Sequence, residues 1–274
     1  KIYSNLIYTY IDSGKDLEFI NKRELKSDTN IISAPTFVKN HNTNKHELVF
    51  QDEAFNLNLI DLRGKIIWKA GIKEKIKSDI KQIDIYGNKK LQYIFNTDNY
   101  IYIIDRNGNL IENFPIKLKS KSKNEVFYID YDKNYRYRFF IGCEDGVYGF
   151  NKKGEILNGW GPLKDVGQVS FPIKHMSLNK KDYIIIANNS GELFLKNRKG
   201  QDRVNKQSFN TLFLNEFKAD FSQQPYNLVN ADSSMNIIRL EIPLKKNKNV
   251  NISKEKLKPV EYFDFKVFDF VDID

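Results

Sequence analysis

Few residues of this chain have the types and spacing that chemistry needs. The histidines are His41, His46 and His175, and they share no ligand spacing such as His-x-x-x-His that would aim two imidazoles at one metal ion. Each reads as a surface or turn residue. Cys143 is the one cysteine, so there is no intrachain disulfide and no cysteine-based metal cluster. It continues the run Phe139-Phe140-Ile141-Gly142-Cys143, where a small buried thiol is expected rather than a nucleophile. There is no glycine-rich phosphate loop behind a strand, no serine-centred elbow and no repeating carboxylate pair. What recurs is cationic: Lys89-Lys90, Lys133 with Arg136, Lys152-Lys153 and Lys180-Lys181 all fall in polar, turn-forming stretches. With a net charge of +9, such groups permit an acidic partner: nucleic acid, anionic lipid or an acidic protein face.

The cations must be positioned by something regular, and the regularity is a repeat. Asp/Asn-x-x-Gly follows an apolar run four times: Leu57-Asn58-Leu59-Ile60-Asp61-Leu62-Arg63-Gly64, Ile101-Tyr102-Ile103-Ile104-Asp105-Arg106-Asn107-Gly108, Val147-Tyr148-Gly149-Phe150-Asn151-Lys152-Lys153-Gly154 and Leu193-Phe194-Leu195-Lys196-Asn197-Arg198-Lys199-Gly200. The glycines are 44, 46 and 46 residues apart, and a second apolar run begins 17 residues before each of them. That period is the length of a four-stranded propeller blade. Asp or Asn bonds its own backbone two residues on, while Gly accepts the positive φ that closes a tight hairpin. The Asp/Asn-x-x-Gly turn is therefore read as structural, joining the third strand of a blade to the fourth.

Within residues 80–118 the four strands are expected at 80–85, 91–96, 100–105 and 109–118, and by the same template the other blades span 34–72, 124–163 and 169–206. A degenerate fifth at 210–244, with strands at 211–214, 226–229 and 235–240, lacks the glycine turn. Residues 1–30 and 260–274 hold further strand-like runs that would complement each other as a composite blade and close the ring, and the polar stretch 245–254 reads as a mobile surface loop. The expectation is one all-β domain, a β-propeller of four-stranded antiparallel blades, about six in number with a range of five to seven. Apolar residues make up 41% of 274 and aromatics 14%, which is ample for its core. No run approaches the roughly 18 apolar residues of a membrane span, and no signal-peptide pattern is present. The chain starts at Lys1 without Met and ends inside an apolar run, so a longer parent protein is expected.

Leu57 to Gly64 followed by Lys65-Ile66-Ile67-Trp68 resembles the repeat of pyrroloquinoline-quinone-type propellers: an apolar strand, Asp, a Gly-Lys turn, then a strand carrying Trp. The resemblance covers about residues 34–206. That repeat is shared by quinoprotein dehydrogenases and by non-enzymatic propeller lipoproteins of outer-membrane assembly. It implies that Trp68 and Trp160 are structural core residues, although later copies put Glu112, Asn158 and Val204 where the first has Trp68. A dehydrogenase of this kind would need an Asp base, a calcium ion beside the quinone, and a stacked Trp or vicinal cysteines, for which the chain has little material. Asp130-Tyr131-Asp132-Lys133-Asn134 is similar to the calcium loops of integrin-type propellers, but Arg136 and Arg138 follow directly and the matching loops are lysine-rich. No metal, cofactor or catalytic residue is assigned.

In a propeller, the loops joining strands one to two and three to four emerge on one face of the disc. Here those loops carry Lys45, Lys89, Lys90, Lys133, Arg136, Lys180 and Lys181, with Arg63, Lys65, Arg106, Lys152, Lys153, Arg198 and Lys199, whereas the two-to-three loops carry Asp52, Glu53, Asp98, Glu144, Asp145 and Glu192. The expected function is a non-catalytic scaffold that holds another protein or a multi-protein complex. The contact residues would be Lys89, Lys90, Lys133, Arg136, Lys152, Lys153, Lys180 and Lys181. Two alternatives are a quinoprotein-type enzyme or cofactor binder, and a binder of an anionic polymer or membrane surface. No nucleic-acid partner is expected, and peripheral membrane association is open. By analogy with envelope propellers the expected location is the bacterial periplasm or outer membrane, with cytosol as the alternative.

Overall fold

Leu48-Val49-Phe50, Tyr93-Ile94-Phe95, Phe139-Phe140-Ile141 and Ile184-Ile185-Ile186 are consecutive apolar residues, all buried. A strand can bury every side chain only when both of its faces are covered, because successive residues point to opposite sides. The computed structural model describes residues 4–11, 20–27, 29–222, 224–242 and 251–256. Among them every regular element is a β-strand apart from one short 3-10 turn, Lys164–Val166, and no helix is long and apolar enough to cross a membrane. The chain divides into two compact units, Lys1–Lys117 and Leu118–Asp274.

In the first unit, β1 (Ser4–Ile11) and β2 (Ile20–Ser27) pair as an antiparallel two-stranded sheet. A four-stranded antiparallel meander follows: β3 (Thr36–Lys39), β4 (His46–Gln51), β5 (Asn56–Ile60) and β6 (Ile66–Gly71). A second meander is β7 (Lys81–Ile83), β8 (Gln92–Asn96), β9 (Tyr100–Ile104) and β10 (Ile116–Lys117). Val49, Leu57 and Leu59 of the first meander pack against Tyr93, Phe95, Tyr102 and Ile104 of the second. Leu48, Phe50 and Ile60, one residue out of phase, face the other way onto Ile31 and Leu62.

The second unit begins with β11 (Phe127–Ile129), β12 (Arg138–Cys143) and β13 (Gly146–Asn151). Residues 156–163 stand where a fourth strand would be, held by the single bridges Phe150↔Ile156 and Val147↔Leu163. Two full meanders follow: β14 (Lys174–Leu178), β15 (Lys181–Ala187), β16 (Glu192–Lys196) and β17 (Gln207–Ser208), then β18 (Lys218–Asp220), β19 (Asn227–Ala231), β20 (Asn236–Glu241) and β21 (Ile252–Lys256). Period-two alternation decides what each face meets. Ile184, Ile186 and Phe194 pack on Phe140, Val147 and Trp160, while Tyr183, Ile185, Leu193 and Leu195 pack on Leu228, Ile238 and Leu240.

The strands differ from expectation at the outer edges. Of the strand expected at 109–118 only β10 forms. Residues 109–115 curl back instead, with the Ile111 N–H donating to the Ile103 carbonyl (3.1 Å) and Ile111 and Phe114 buried. Residues 211–214 are not the first strand of the last meander. Phe213 is wedged against Phe217 with ring centroids 4.8 Å apart and bridges Asp232, and β18 takes the strand's place. Within the loop expected at 245–254, residues 252–254 belong to β21, because β20 offers an open ladder edge that Ile252 and Lys254 complete opposite Leu240 and Ile238. Residues 243–250 and 260–274 lie outside the described residues, and with them the expected closure of 260–274 onto 1–30.

Candidate interaction surface

An antiparallel meander places its one-to-two hairpin and its three-to-four turn at the same end of the sheet. At that end the four glycine turns share one geometry. The side-chain oxygen of Asp61 accepts from the Arg63 and Lys65 N–H groups (2.8 and 2.9 Å), that of Asp105 from Asn107 and Asn109 (2.8 and 2.9 Å), that of Asn151 from Lys153 and Glu155 (2.9 and 3.1 Å), and that of Asn197 from Lys199 and Gln201 (2.8 and 3.1 Å). Gly64, Gly108, Gly154 and Gly200 close the turns at φ of 89°, 88°, 78° and 77°, the left-handed region that a Cβ disfavours. The Asx bonds satisfy backbone donors that a tight turn leaves without ladder partners.

Each unit ties the turn of one sheet to its neighbour through a tryptophan and an arginine. The Trp68 indole donates to the Arg106 carbonyl at 2.8 Å, and the Trp160 indole donates to the Arg198 carbonyl at 3.0 Å. Trp160 is fully buried, while Trp68 is half-buried. The Arg106 guanidinium donates to buried Glu47 at 2.6 Å. Arg198 binds Asp182 (2.5 Å) and Asp132 (2.8 Å) and lies 4.4 Å over the Tyr131 ring. Arg106 and Arg198 are therefore both paired with carboxylates, Arg106 turned inward onto Glu47 and Arg198 still exposed. In both units Trp and Arg are 38 residues apart, a spacing shared by the two pairs in the sequence.

His41, in a hairpin turn, and exposed His46 keep the expected surface or turn role, whereas His175 departs from it. His175 lies half-buried in β14, 2.8 Å from Asp182 and edge-on to Tyr131. His46 lies in β4, edge-on to Phe37. His41 Nδ1 accepts the Leu91 N–H at 3.0 Å, joining the hairpin of one meander to that of the next, so the ring is neutral with its proton on Nε2. Burial, then the Arg106 and Lys90 charges, hold the His41 pKa below its ordinary value. Cys143 is buried and its thiol is pushed up to about 12 by burial, which makes it inert as a nucleophile. Asp132 is taken by Arg198, and an Asp130 oxygen accepts the Tyr135 N–H at 2.5 Å. Among the described residues no three His, Cys, Asp or Glu side chains converge as a metal-ligand group.

Charge at the two ends of the sheets is handled differently. At the two-to-three loops the acids are paired: buried Asp52 with Asn56, Asn58 and Lys69, Asp98 with Lys77, Glu144 with Lys123, Glu192 with Lys206, and buried Asp232 with Asn236 and Lys254. Burial pushes the Asp52 and Asp232 carboxyls up, but these partners outweigh it and hold both below the usual carboxylate range. At the hairpin end, Lys89, Lys90, Arg136, Lys152, Lys153 and Lys180 are exposed and Lys181 is half-buried, and none has a carboxylate within ion-pair distance among the described residues. Lys133 is also exposed there.

Scanned against protein-family models the chain matches none, and no curated protein sequence matches it. Among solved structures it is similar to BBS1N in complex with ARL6DN, with a TM-score of 0.56 and 13% identity over 83% of this chain and 71% of that one. It is also similar to BamB from Moraxella catarrhalis, with a TM-score of 0.51 and 10% identity over 86% and 66% of the two chains. Both are propellers. The chain has a β-propeller fold. At such identity the likeness extends to the fold alone.

Proposed function

We propose that this propeller is a non-catalytic platform that holds another protein through the hairpin end of its sheets, within a bacterial cell-envelope assembly at the periplasm or outer membrane. One observation carries the reading: Asp52, Asp98, Glu144, Glu192 and Asp232 at the two-to-three loops each have a lysine within ion-pair distance, whereas Lys89, Lys90, Arg136, Lys152, Lys153, Lys180 and Lys181 at the hairpin ends have no carboxylate within that distance among the described residues. Exposed unpaired charge contributes little to stability but steers association and selects an oppositely charged surface. The envelope setting rests on the resemblance of the Leu57 to Trp68 phrase to quinoprotein-type repeats, and the protein partner is consistent with the similarity to a propeller solved in complex with ARL6DN. The test is capture of partners from the native source by the wild-type chain and by the variant K89E/K90E/K152E/K153E. Capture should fall sharply in the variant and weaken with salt, because exposed charges are screened beyond about 8 Å at physiological ionic strength. Undiminished capture by a folded variant, or stoichiometric quinone in the native protein, overturns the reading.

A further inference from the structure

The sequence holds two Asn-Gly pairs, Asn107-Gly108 and Asn158-Gly159. Asparagine before glycine is the most labile amide of a chain, because the following backbone nitrogen can attack the side-chain Cγ and glycine has no Cβ to obstruct it. Attack is favoured by an exposed side chain and by an N–H that has no hydrogen bond to give up. The two pairs meet these conditions unequally.

Asn107-Gly108 is held in place. The Gly108 N–H donates to the Asp105 carbonyl at 3.2 Å, and the Asn107 and Asn109 N–H groups both donate to the Asp105 side chain (2.8 and 2.9 Å). On its other side the turn meets Trp68, whose ring lies 2.9 Å from where a Gly108 Cβ would stand. Moving the Gly108 nitrogen onto Asn107 therefore breaks a hydrogen bond and disturbs a packed ring.

Asn158-Gly159, in the second unit, is open. Both residues are exposed, and among the described residues neither the Asn158 side chain nor the Gly159 N–H makes a hydrogen bond. The turn that carries them is fixed only at its ends. The Trp160 N–H donates to the Leu157 carbonyl (3.0 Å), and Leu157 and Trp160 are each bonded to Gly149 (2.9 and 2.8 Å). Beyond these, Phe150↔Ile156 and Val147↔Leu163 are single bridges rather than a continuous ladder.

The seam beneath this pair has no slack. Gly159 and Gly200 meet backbone to backbone: a Cβ on Gly159 would stand 2.2 Å from the Lys199 carbonyl oxygen, and one on Gly200 would stand 2.2 Å from the Gly159 carbonyl oxygen. The next residue is fully buried Trp160, whose indole donates to the Arg198 carbonyl at 3.0 Å.

We infer that Asn158 is a site of spontaneous deamidation, with water as the co-reactant, and that the product loosens the contact of Trp160 with the turn at Arg198. The Gly159 nitrogen bonds to Asn158 Cγ and gives up its proton, the Cγ–Nδ2 bond breaks, and Nδ2 leaves as ammonia. Water then opens the five-membered imide at either carbonyl. Opening at Cγ leaves aspartate in the ordinary chain. Opening at the α carbonyl leaves isoaspartate, which lengthens the main chain by one methylene where Gly159 is already pressed against Gly200.

The test incubates the purified chain, folded and in denaturant, at neutral and at mildly alkaline pH. Peptide mass spectrometry follows both asparagines, and isoaspartate methyltransferase labelling separates the two products. In the folded chain Asn158 should convert about tenfold or more faster than Asn107, which must first lose a hydrogen bond. Conversion should quicken at the higher pH, because the amide nitrogen attacks as its anion, and in denaturant the two rates should converge. The deamidated fraction, rich in isoaspartate, should melt roughly 2–4 °C below the Asn158→Asp variant, which carries the same charge in an ordinary chain. Equal conversion of the two asparagines in the folded chain, or an intact Asn158 in a folded chain whose denatured form reacts, overturns the site. A deamidated fraction as stable as Asn158→Asp overturns the loosening of Trp160.

Discussion

Trp68 in the first unit and Trp160 in the second reach the same kind of partner by different routes. Each indole donates to the carbonyl of an arginine two residues before a turn glycine. Trp68 follows its own glycine by four residues and Trp160 by six. Trp68 is half-buried and leans on Gly108, where an added Cβ would stand 2.9 Å from its ring. Trp160 is fully buried, packed edge-on to Phe140 at 4.6 Å, and its detour is made by Gly159, whose missing side chain lets the Lys199 carbonyl come within 2.2 Å of where a Cβ would be. A conserved hydrogen-bond geometry is thus compatible with a variable strand. Where the fourth strand is regular, in β6, the ring stays partly wet, and where the strand dissolves into single bridges the ring fills the core.

The sharpest way to break this comparison is truncation. Trp160→Ala should cost about 3–5 kcal/mol, and Trp68→Ala roughly 2–3, since less of its ring leaves water and the same hydrogen bond is lost. Equal losses in chemical denaturation would mean that the hydrogen bond, not burial, sets the value of these residues. Gly159→Ala comes next, at about 2–4 kcal/mol, from the left-handed φ of 82° together with the backbone clash. A neutral result would show that the detour around Trp160 is soft.

Smaller effects separate the units by pH. The His41 pKa is lowered on folding, so near its ordinary value of about 6.5 the unfolded chain binds more protons, and stability is lost as pH falls through that value toward the folded pKa. Protonation also removes the acceptor that receives the Leu91 N–H. His41→Asn keeps an acceptor without a titrating ring and should flatten the melting temperature between pH 7 and 5, with hydrogen exchange at Leu91 as the local readout. The Asp232 tie to Lys254 in the second unit should hold until lower pH, because its carboxyl is depressed and its contribution disappears only below about 4. Loss of the Leu91 and Asp232 contacts at the same pH would contradict this order. The smallest change is a gain: Lys89→Gly removes a left-handed lysine and should stabilise by about 0.5–1 kcal/mol. It leaves Lys90 in place for binding assays.

The period of the Asp/Asn-x-x-Gly phrase and the two-residue alternation in β15 and β16 made the all-β propeller legible, because turn chemistry and strand period act over a few residues. The edges were not legible. Residues 109–115 look extended until Ile111 and Phe114 are buried, and 252–254 look like loop until β20 offers an edge. The candidate surface was legible only as residue type. Lys90 and Arg106 are both turn cations in the sequence, yet one is exposed with no carboxylate within ion-pair distance among the described residues while the other is locked onto Glu47.

The sequence by itself determined the repeat, the turn glycines and the excess of cations at one end of each sheet, since all three depend on local spacing. Only the tertiary structure decided which charges remain free and why Trp68 and Trp160 converge on one kind of carbonyl. These depend on groups tens of residues apart meeting in space, where pairing and burial, not spacing, set the energy.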